Sequence, residues 1–326
     1  MPSNSVPAVP TGGLVVILGT GGTIAGTAER AGDNIGYTAA QRSVQQLLTA
    51  VPALAGTAIE ALQLAQLDSK DMDVLTWRSL ALAAAQQLAR PEVAGLVVTH
   101  GTDTLEETGW LLQALLADDT AAKPLVLTAA MRPATALAAD GPQNLLDAVT
   151  LARWPGARGV LAVLAGTVHA AAELRKRHCY RPDAFGVGAA AGEAGPLGVI
   201  EEGRLRAFRP WPLASAAPLP LQALPADAAG WPWVEILSSH ADARPEAVLA
   251  LLDAGVRGLV IAATGNGTLH RALEPALTQA RDSGVPVWIC SRCADGVVLG
   301  EAAGPAAALT PWQARVALQL QLLRPR

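Results

Sequence analysis

Cysteine, lysine, tyrosine and phenylalanine are scarce in this 326-residue chain, and what is missing excludes whole classes of function. Three cysteines, Cys179, Cys290 and Cys293, are too few and odd in number for a disulfide framework. Cys290 and Cys293 form a C-x-x-C, but there is no second pair to complete a zinc site. They follow the apolar run 285–289, which reads them as packed thiols at a strand end. Charged residues make up only 16% and the net charge is −4, so no basic footprint for nucleic acid exists. No run of eighteen apolar residues is present, and no membrane span is expected. The opening MPSNSVPAVPTGG lacks the basic and apolar regions of a secretory signal, which points to a cytoplasmic protein. His, Cys and carboxylate side chains nowhere take metal-ligand spacing, so neither metal nor cofactor is expected. The eight tryptophans read as core and interface residues.

Apolar material is abundant: 51% of the residues are hydrophobic, enough for two cores in a chain about twice the common domain length. Short apolar runs alternate with helical patterns. Strands are expected at 14–18, 58–64, 95–99, 125–128 and 160–164, with helices at 73–90, 105–116 and 142–153 between them. Residues 198–208 look like a hairpin. Six prolines between 210 and 232 mark an extended linker, after which strands at 233–237, 258–262 and 285–289 alternate with helices at 245–253, 268–281 and 311–323. The expected fold is α/β with two α/β domains: a larger N-terminal one (1–209) with a mostly parallel sheet and a smaller C-terminal one (231–326) with a parallel sheet, joined by the linker 210–230.

Ligands of such sheets bind beyond the carboxyl ends of the strands. After the first strand come Gly19, Thr20, Gly21, Gly22 and Thr23; after the third come His100, Gly101, Thr102 and Asp103. The first loop has a G-x-G spacing but Ile24 stands where a dinucleotide fingerprint needs its third glycine, and no lysine follows to make a Walker A loop. What remains is a glycine turn that brings backbone N–H groups to a ligand beside the hydroxyl of Thr23, the parts acyl transfer needs. It reads equally as a tight turn with a capping threonine. Thr102 and Asp103 are in turn either ordinary caps of the following helix, with Glu106 and Glu107 complementing its dipole, or a hydroxyl and carboxylate that move a proton and bind an ammonium.

A threonine hydroxyl needs a base. None of the five histidines takes a recognisable triad spacing. Cation usage is tilted to 21 Arg against three Lys, at 70, 123 and 176, and only a lysine can give up its proton. Lys176 lies between Arg175 and Arg177, whose charges disfavour its protonation; the same run also reads as a solvated basic segment.

Together these loops resemble the bacterial-type L-asparaginase family, which includes the glutaminase-asparaginases. Residues 20–26 (TGGTIAG) match its first signature and residues 99–107 (THGTDTLEE) its second. Ala130-Met-Arg-Pro133, Ala139-Asp-Gly-Pro142 with Asn144-Leu145, Lys176 with Phe185, Gly195-Pro-Leu-Gly198 and Gly265-Asn-Gly267 follow in order. The resemblance implies that Thr23 is the nucleophile, with Gly22 beside it and Tyr37 on a lid over it. Thr102, Asp103 and Lys176 would form a second, proton-moving set. Gly22, Asp68, Ser69, Thr102 and Asp103 would bind the substrate, with Asp103 taking its α-ammonium and Ser69 its α-carboxylate. The implied activity is hydrolysis of L-asparagine to L-aspartate and ammonia through a threonine acyl-enzyme, without cofactor, in a homotetramer built as a dimer of dimers.

Three positions depart from the family. Lys70 replaces Gln or Glu near the α-ammonium, Thr268 replaces an Asn after Gly-Asn-Gly, and the family's acidic residue in the short segment 292–311 aligns with Glu301. Three other functions stay open on the residues. A glutaminase-asparaginase differs by one methylene of substrate, worth only ~1–3 kcal/mol in a pocket. An amidotransferase subunit usually has an additional N-terminal domain. A non-catalytic amino-acid binder would have no use for a second proton-moving set.

Overall fold

The computed structural model describes residues 12–30, 32–188, 195–212, 218–300 and 304–325. The chain divides into two compact units, residues 1–186 with 195–218 and residues 187–194 with 219–326. In chain order the first unit carries β1 (Leu14–Gly21), β2 (Thr27–Ala28), β3 (Tyr37–Thr38), α1 (Val44–Thr49), β4 (Ile59–Leu67), α2 (Val74–Leu88) and β5 (Val93–Thr99). It continues with α3 (Leu105–Leu116), β6 (Pro124–Thr128), α4 (Gly141–Ala152), β7 (Gly159–Leu164), β8 (Thr167–Ala170) and β9 (Leu174–Lys176). β10 (Phe185–Val187), β11 (Gly198–Glu201) and β12 (Arg204–Ala207) follow.

Eight strands make one sheet in the order β12-β11-β8-β7-β6-β5-β1-β4. β4, β1, β5, β6 and β7 run parallel, whereas β8, β11 and β12 are antiparallel. The apolar runs at 14–18, 95–99 and 125–128 become strands buried over nearly their whole length, with Leu14 half-buried, because helices cover both faces of the parallel part. Ile17, Leu18, Leu96, Leu125 and Leu127 are wholly buried, each contributing about 1.5–3 kcal/mol of transfer free energy before the cost of ordering the chain. β4, at the edge, shows half-buried and exposed residues instead. Helix starts follow side-chain chemistry. Asp73 caps α2 by accepting from the Thr76 amide at 2.7 Å, and Ser43 with Gln46 forms a capping box on α1.

The strand order places the site. From β1 the chain moves outward to β4, then crosses back over β1 to β5 and proceeds in the opposite direction to β6 and β7. The carboxyl ends of β1 and β5 therefore flank the point where the order reverses, the crevice in which open α/β sheets bind ligands.

The second unit is a three-stranded parallel sheet, β13 (Val234–Ser238), β14 (Gly258–Ala263) and β15 (Val287–Ser291), with α5 (Glu246–Asp253), α6 (Glu274–Asp282) and α7 (Pro311–Leu322). Val248, Leu259, Ile261 and Leu277 form its centre.

Three expectations need correction. The helix expected over 268–281 begins only at Glu274. Thr268 instead pairs with Thr264 through two backbone hydrogen bonds of 2.9 and 3.0 Å, closing the Gly265-Asn266-Gly267 turn, and Pro275 suits a helix's first turn, not its interior. The last strand runs 287–291, two residues later than expected. Cys290 thus lies inside it, fully buried, and burial pushes its thiol up to about 12, leaving no thiolate for chemistry. Two short pairings, β2 with β3 and β9 with β10, have no hydrophobic period and were not expected. Residues 213–217 of the expected linker, and Glu301, lie outside the described residues.

Candidate active site

Beyond β1 the backbone turns through Gly21 (φ 104°) and Gly22 (φ 80°, ψ −174°). The second conformation is open to glycine almost alone. A Cβ on Gly22 would collide with the backbone of His100 and Gly101, and one on Gly101 with the Ser69 side chain. The loops after β1 and β5 thus meet backbone to backbone, with the Ser69 side chain of the turn after β4 against Gly101.

Thr23 follows Gly22, is 7% exposed and shares a 2.7 Å hydrogen bond between its Oγ1 and the Tyr37 hydroxyl. Tyr37 is delivered by the β2–β3 hairpin, where Thr27 pairs with Thr38 and Ala28 with Tyr37. Its turn is built on Asp33, whose Oδ1 accepts from the Ile35 and Gly36 amides at 2.9 and 2.6 Å. The Gly36 and then the Ile35 bond hold that carboxyl below its usual range. Gly32, Asp33 and Asn34 are turn formers and were the signal from which this hairpin could have been read.

The second loop holds charged chemistry. Lys176 Nζ donates to Thr102 Oγ1 at 2.9 Å and to Asp103 Oδ1 at 2.6 Å. Its side chain is 18% exposed and that of Asp103 54%, so the carboxylate meets solvent while the amine is largely covered. The cap of α3 is Thr104, not Thr102 or Asp103, which removes the ordinary-cap reading of those two. Lys176 is drawn inward and is no part of a solvated basic run. Asp103 gives its amide to Ser69 Oγ at 3.2 Å; that bond uses a lone pair, leaving the Ser69 hydroxyl proton for another acceptor. Ser69 itself is 2% exposed.

Beneath this loop lies His100, wholly buried. Its Nδ1 meets the Gly101 carbonyl at 2.7 Å and its Nε2 the Thr108 hydroxyl at 3.0 Å, and Thr108 Oγ1 accepts from Trp77 Nε1 at 2.8 Å. A neutral ring with its proton on Nδ1 completes every bond of this chain. Burial, opposed only by the Gly101 bond, lowers the imidazole to about 4.

Asp68 is engaged by Lys70, whose Nζ lies 3.2 Å from Asp68 Oδ2 and 2.7 Å from Asp71 Oδ2. The bond to Asp71, then that to Asp68, raises the Lys70 ammonium above its usual range. Thr268, in the second unit, spends its hydroxyl on Thr264: the two Oγ1 atoms are 2.8 Å apart. The structure therefore brings together Thr23 with Tyr37, Gly22 with Gly101, Ser69 with Asp103, and Lys176 with Thr102 and Asp103. Among the described residues no side-chain hydrogen bond links the first pair to the Lys176 set; backbone contact joins them. No three His, Cys, Asp or Glu side chains among these residues stand close enough to hold a metal ion, and no helix is long and apolar enough to cross a membrane.

Known proteins share this order of domains along the chain. A model of the asparaginase N-terminal domain matches residues 14–212, and one of the glutaminase/asparaginase C-terminal domain matches residues 233–325. A glutaminase-asparaginase of Acinetobacter glutaminasificans is 35% identical over 95% of both chains. L-asparaginase 2 of Escherichia coli is 34% identical over 94% of this chain and 88% of its own. A crystal structure of a probable cytoplasmic L-asparaginase from Campylobacter jejuni superposes with a TM-score of 0.87, at 33% identity over 96% of both chains.

Proposed function

Because the chain belongs to the asparaginase family of amidohydrolases, we propose that it hydrolyses L-asparagine to L-aspartate and ammonia through an acyl-enzyme on Thr23. The observation that carries this reading is the meeting of two hydroxyl sets at the Gly22–Gly101 contact. One hydroxyl attacks the amide carbon while the other set handles protons. Tyr37 accepts the Thr23 proton by their 2.7 Å bond as it hands its own phenolic proton to water; the Gly22 amide is spent on the Leu67 carbonyl at 2.9 Å, so the Thr23 amide receives the oxyanion. Lys176 and Thr102 pass a proton to the leaving nitrogen, so that ammonia departs instead of an amide anion. Water, activated in turn, releases aspartate.

The exposed Asp103 carboxylate suits the α-ammonium, and the unspent Ser69 proton suits the α-carboxylate. Gly22 lets the substrate approach the backbone. Asp68 acts by holding Lys70 aside, which keeps that cation from repelling the α-ammonium.

The names of several relatives favour a second reading, in which glutamine is hydrolysed as well. Ammonia release from L-asparagine and L-glutamine, assayed side by side, separates the two. A large excess from asparagine supports the first, comparable rates the second, and no release from either sinks both. We further place the enzyme in the cytoplasm, as the Campylobacter neighbour is named, and read it as a homotetramer; cell fractionation and light scattering test these.

A further inference from the structure

One buried ionisable group of the first unit has no part in this chemistry. Glu106, the second residue of α3, is 8% exposed. Its carboxylate accepts a hydrogen bond from the backbone amide of Lys176. The other oxygen, Oε2, is buried with no partner among the described residues. A buried carboxylate with an unpaired oxygen is costly, and an apolar residue would remove that cost. Desolvation raises this carboxyl to about 7 against the opposing pull of the Lys176 amide, Arg175 and Lys176.

Topology supplies a reason to keep it. Thr102 and Asp103 lead directly into α3, but Lys176 arrives from far along the chain. β9, which carries it, is three residues long and pairs only within a two-stranded sheet. Among the described residues no ladder of the large sheet fixes its position. The Glu106 bond ties the lysine's own backbone to the first turn of the helix that the hydroxyl and carboxylate precede. A displacement of about 1 Å there would open the 2.9 and 2.6 Å bonds of Nζ, and such misplacements cost about a hundred-fold in rate.

We infer that Glu106 is a positioning residue of the amide hydrolysis, which holds Lys176 on Thr102 and Asp103 through the lysine's backbone amide and tunes the proton-moving set with its own charge. This rests on the proposed activity. The charges bearing on Glu106 are Arg175 and Lys176 from β9 and Glu107 from its own helix. Of the other elements packed on α3, β7 has no ionisable residue. α2 offers only Arg78, and the turn at 171–173 offers Glu173, which is paired with Arg209 at 2.9 Å. As Glu106 ionises, its bond to the amide becomes charge-assisted and shorter, so proton handling by the lysine set follows its protonation.

The test uses Glu106→Gln, which keeps an acceptor and the shape but not the charge, and Glu106→Leu, which keeps neither. The Leu variant is expected to lose about ten- to a hundred-fold in kcat with KM unchanged. The Gln variant should recover kcat to within about threefold while losing an inflection near pH 7 from the kcat profile. A second readout needs no turnover. With only three lysines, the protein labelled with 13C-lysine gives three ε-carbon signals. The Lys176 signal should move in Glu106→Leu and return in Glu106→Gln, with those of Lys70 and Lys123 unmoved. If both variants keep the wild-type pH profile and the Lys176 signal stays in place, Glu106 is merely a tolerated buried acid and the inference fails. Should the Leu variant not fold, an unchanged pH profile in the Gln variant overturns it alone. Wild-type protein that releases no ammonia, yet shows the lysine signal moving, would defeat the proposed activity and leave the positioning role standing.

Discussion

The two hydroxyls at the switch point are held in opposite ways. Thr23 has one neutral partner, Tyr37, brought by a hairpin of two-residue strands around an exposed Asp33 turn. Thr102 accepts from a charged partner, Lys176, and the loop carrying it rests on a buried His100–Thr108–Trp77 chain. A lid that admits substrate belongs to the less stable part of a protein, whereas proton transfer needs distances fixed to a fraction of an ångström. On the proposed mechanism the contrast places the Thr23–Tyr37 pair on the less stable hairpin side and the Lys176–Thr102–Asp103 set on the buried foundation.

Thr23→Ala should break the comparison most severely. Ammonia release is expected to fall at least about a thousand-fold with circular dichroism unchanged; near-normal turnover would hand the nucleophile's role to Thr102. Lys176→Met should lower kcat by about 10²–10⁴. Lys176→Arg is expected to rescue little of this, since Arg cannot release its proton, so full rescue would reduce the amine to a mere charge. Tyr37→Phe, which deletes the lone partner on the lid side, should cost about a hundred-fold in kcat, and an effect on KM alone would make Tyr37 only a cover.

The foundation of the second loop predicts a pH dependence of stability. The folded His100 and His169 rings sit near 4, both through burial, below an ordinary value of 6.5. The unfolded chain therefore binds protons first as pH falls. The stability each ring contributes is complete above about 6.5 and is lost as pH drops through about 4, to the order of 3 kcal/mol. Urea midpoints measured between pH 7 and 4 should decline, and His100→Gln should flatten the decline; an unaltered slope would mean the ring is not held neutral. The smallest effect is expected from Lys70→Gln. Lys70 is already occupied by Asp68 and Asp71 at the surface, so the ratio of asparagine to glutamine turnover should change by less than about tenfold.

Much of the molecule was legible beforehand. The apolar runs of β1, β5 and β6 and the caps at Asp73 and Thr310 carry local signals. The glycine turn and the Thr-Asp pair sit directly after strands, where position alone marks them. Tyr37 was visible only through the family resemblance, since β3 is too short to show any period, whereas Lys176 also stood out by the scarcity of lysine and its Arg175 and Arg177 neighbours. Glu106 looked like an ordinary first-turn acid complementing the helix dipole.

By itself, then, the sequence determined the α/β class, the longer strands and helices and the residue types available for chemistry, because periodicity, caps and turns depend on neighbours in the chain. Only the tertiary structure decided which of those residues meet. The reversal of strand order brings the β1 and β5 loops together. The pairing of β2 with β3 sets Tyr37 on Thr23. Bonds to Thr102 and Asp103 join Lys176 to a loop 73 residues away from it. Such contacts join residues distant in the chain, and burial then sets the protonation of His100 and Glu106, which no local pattern encodes.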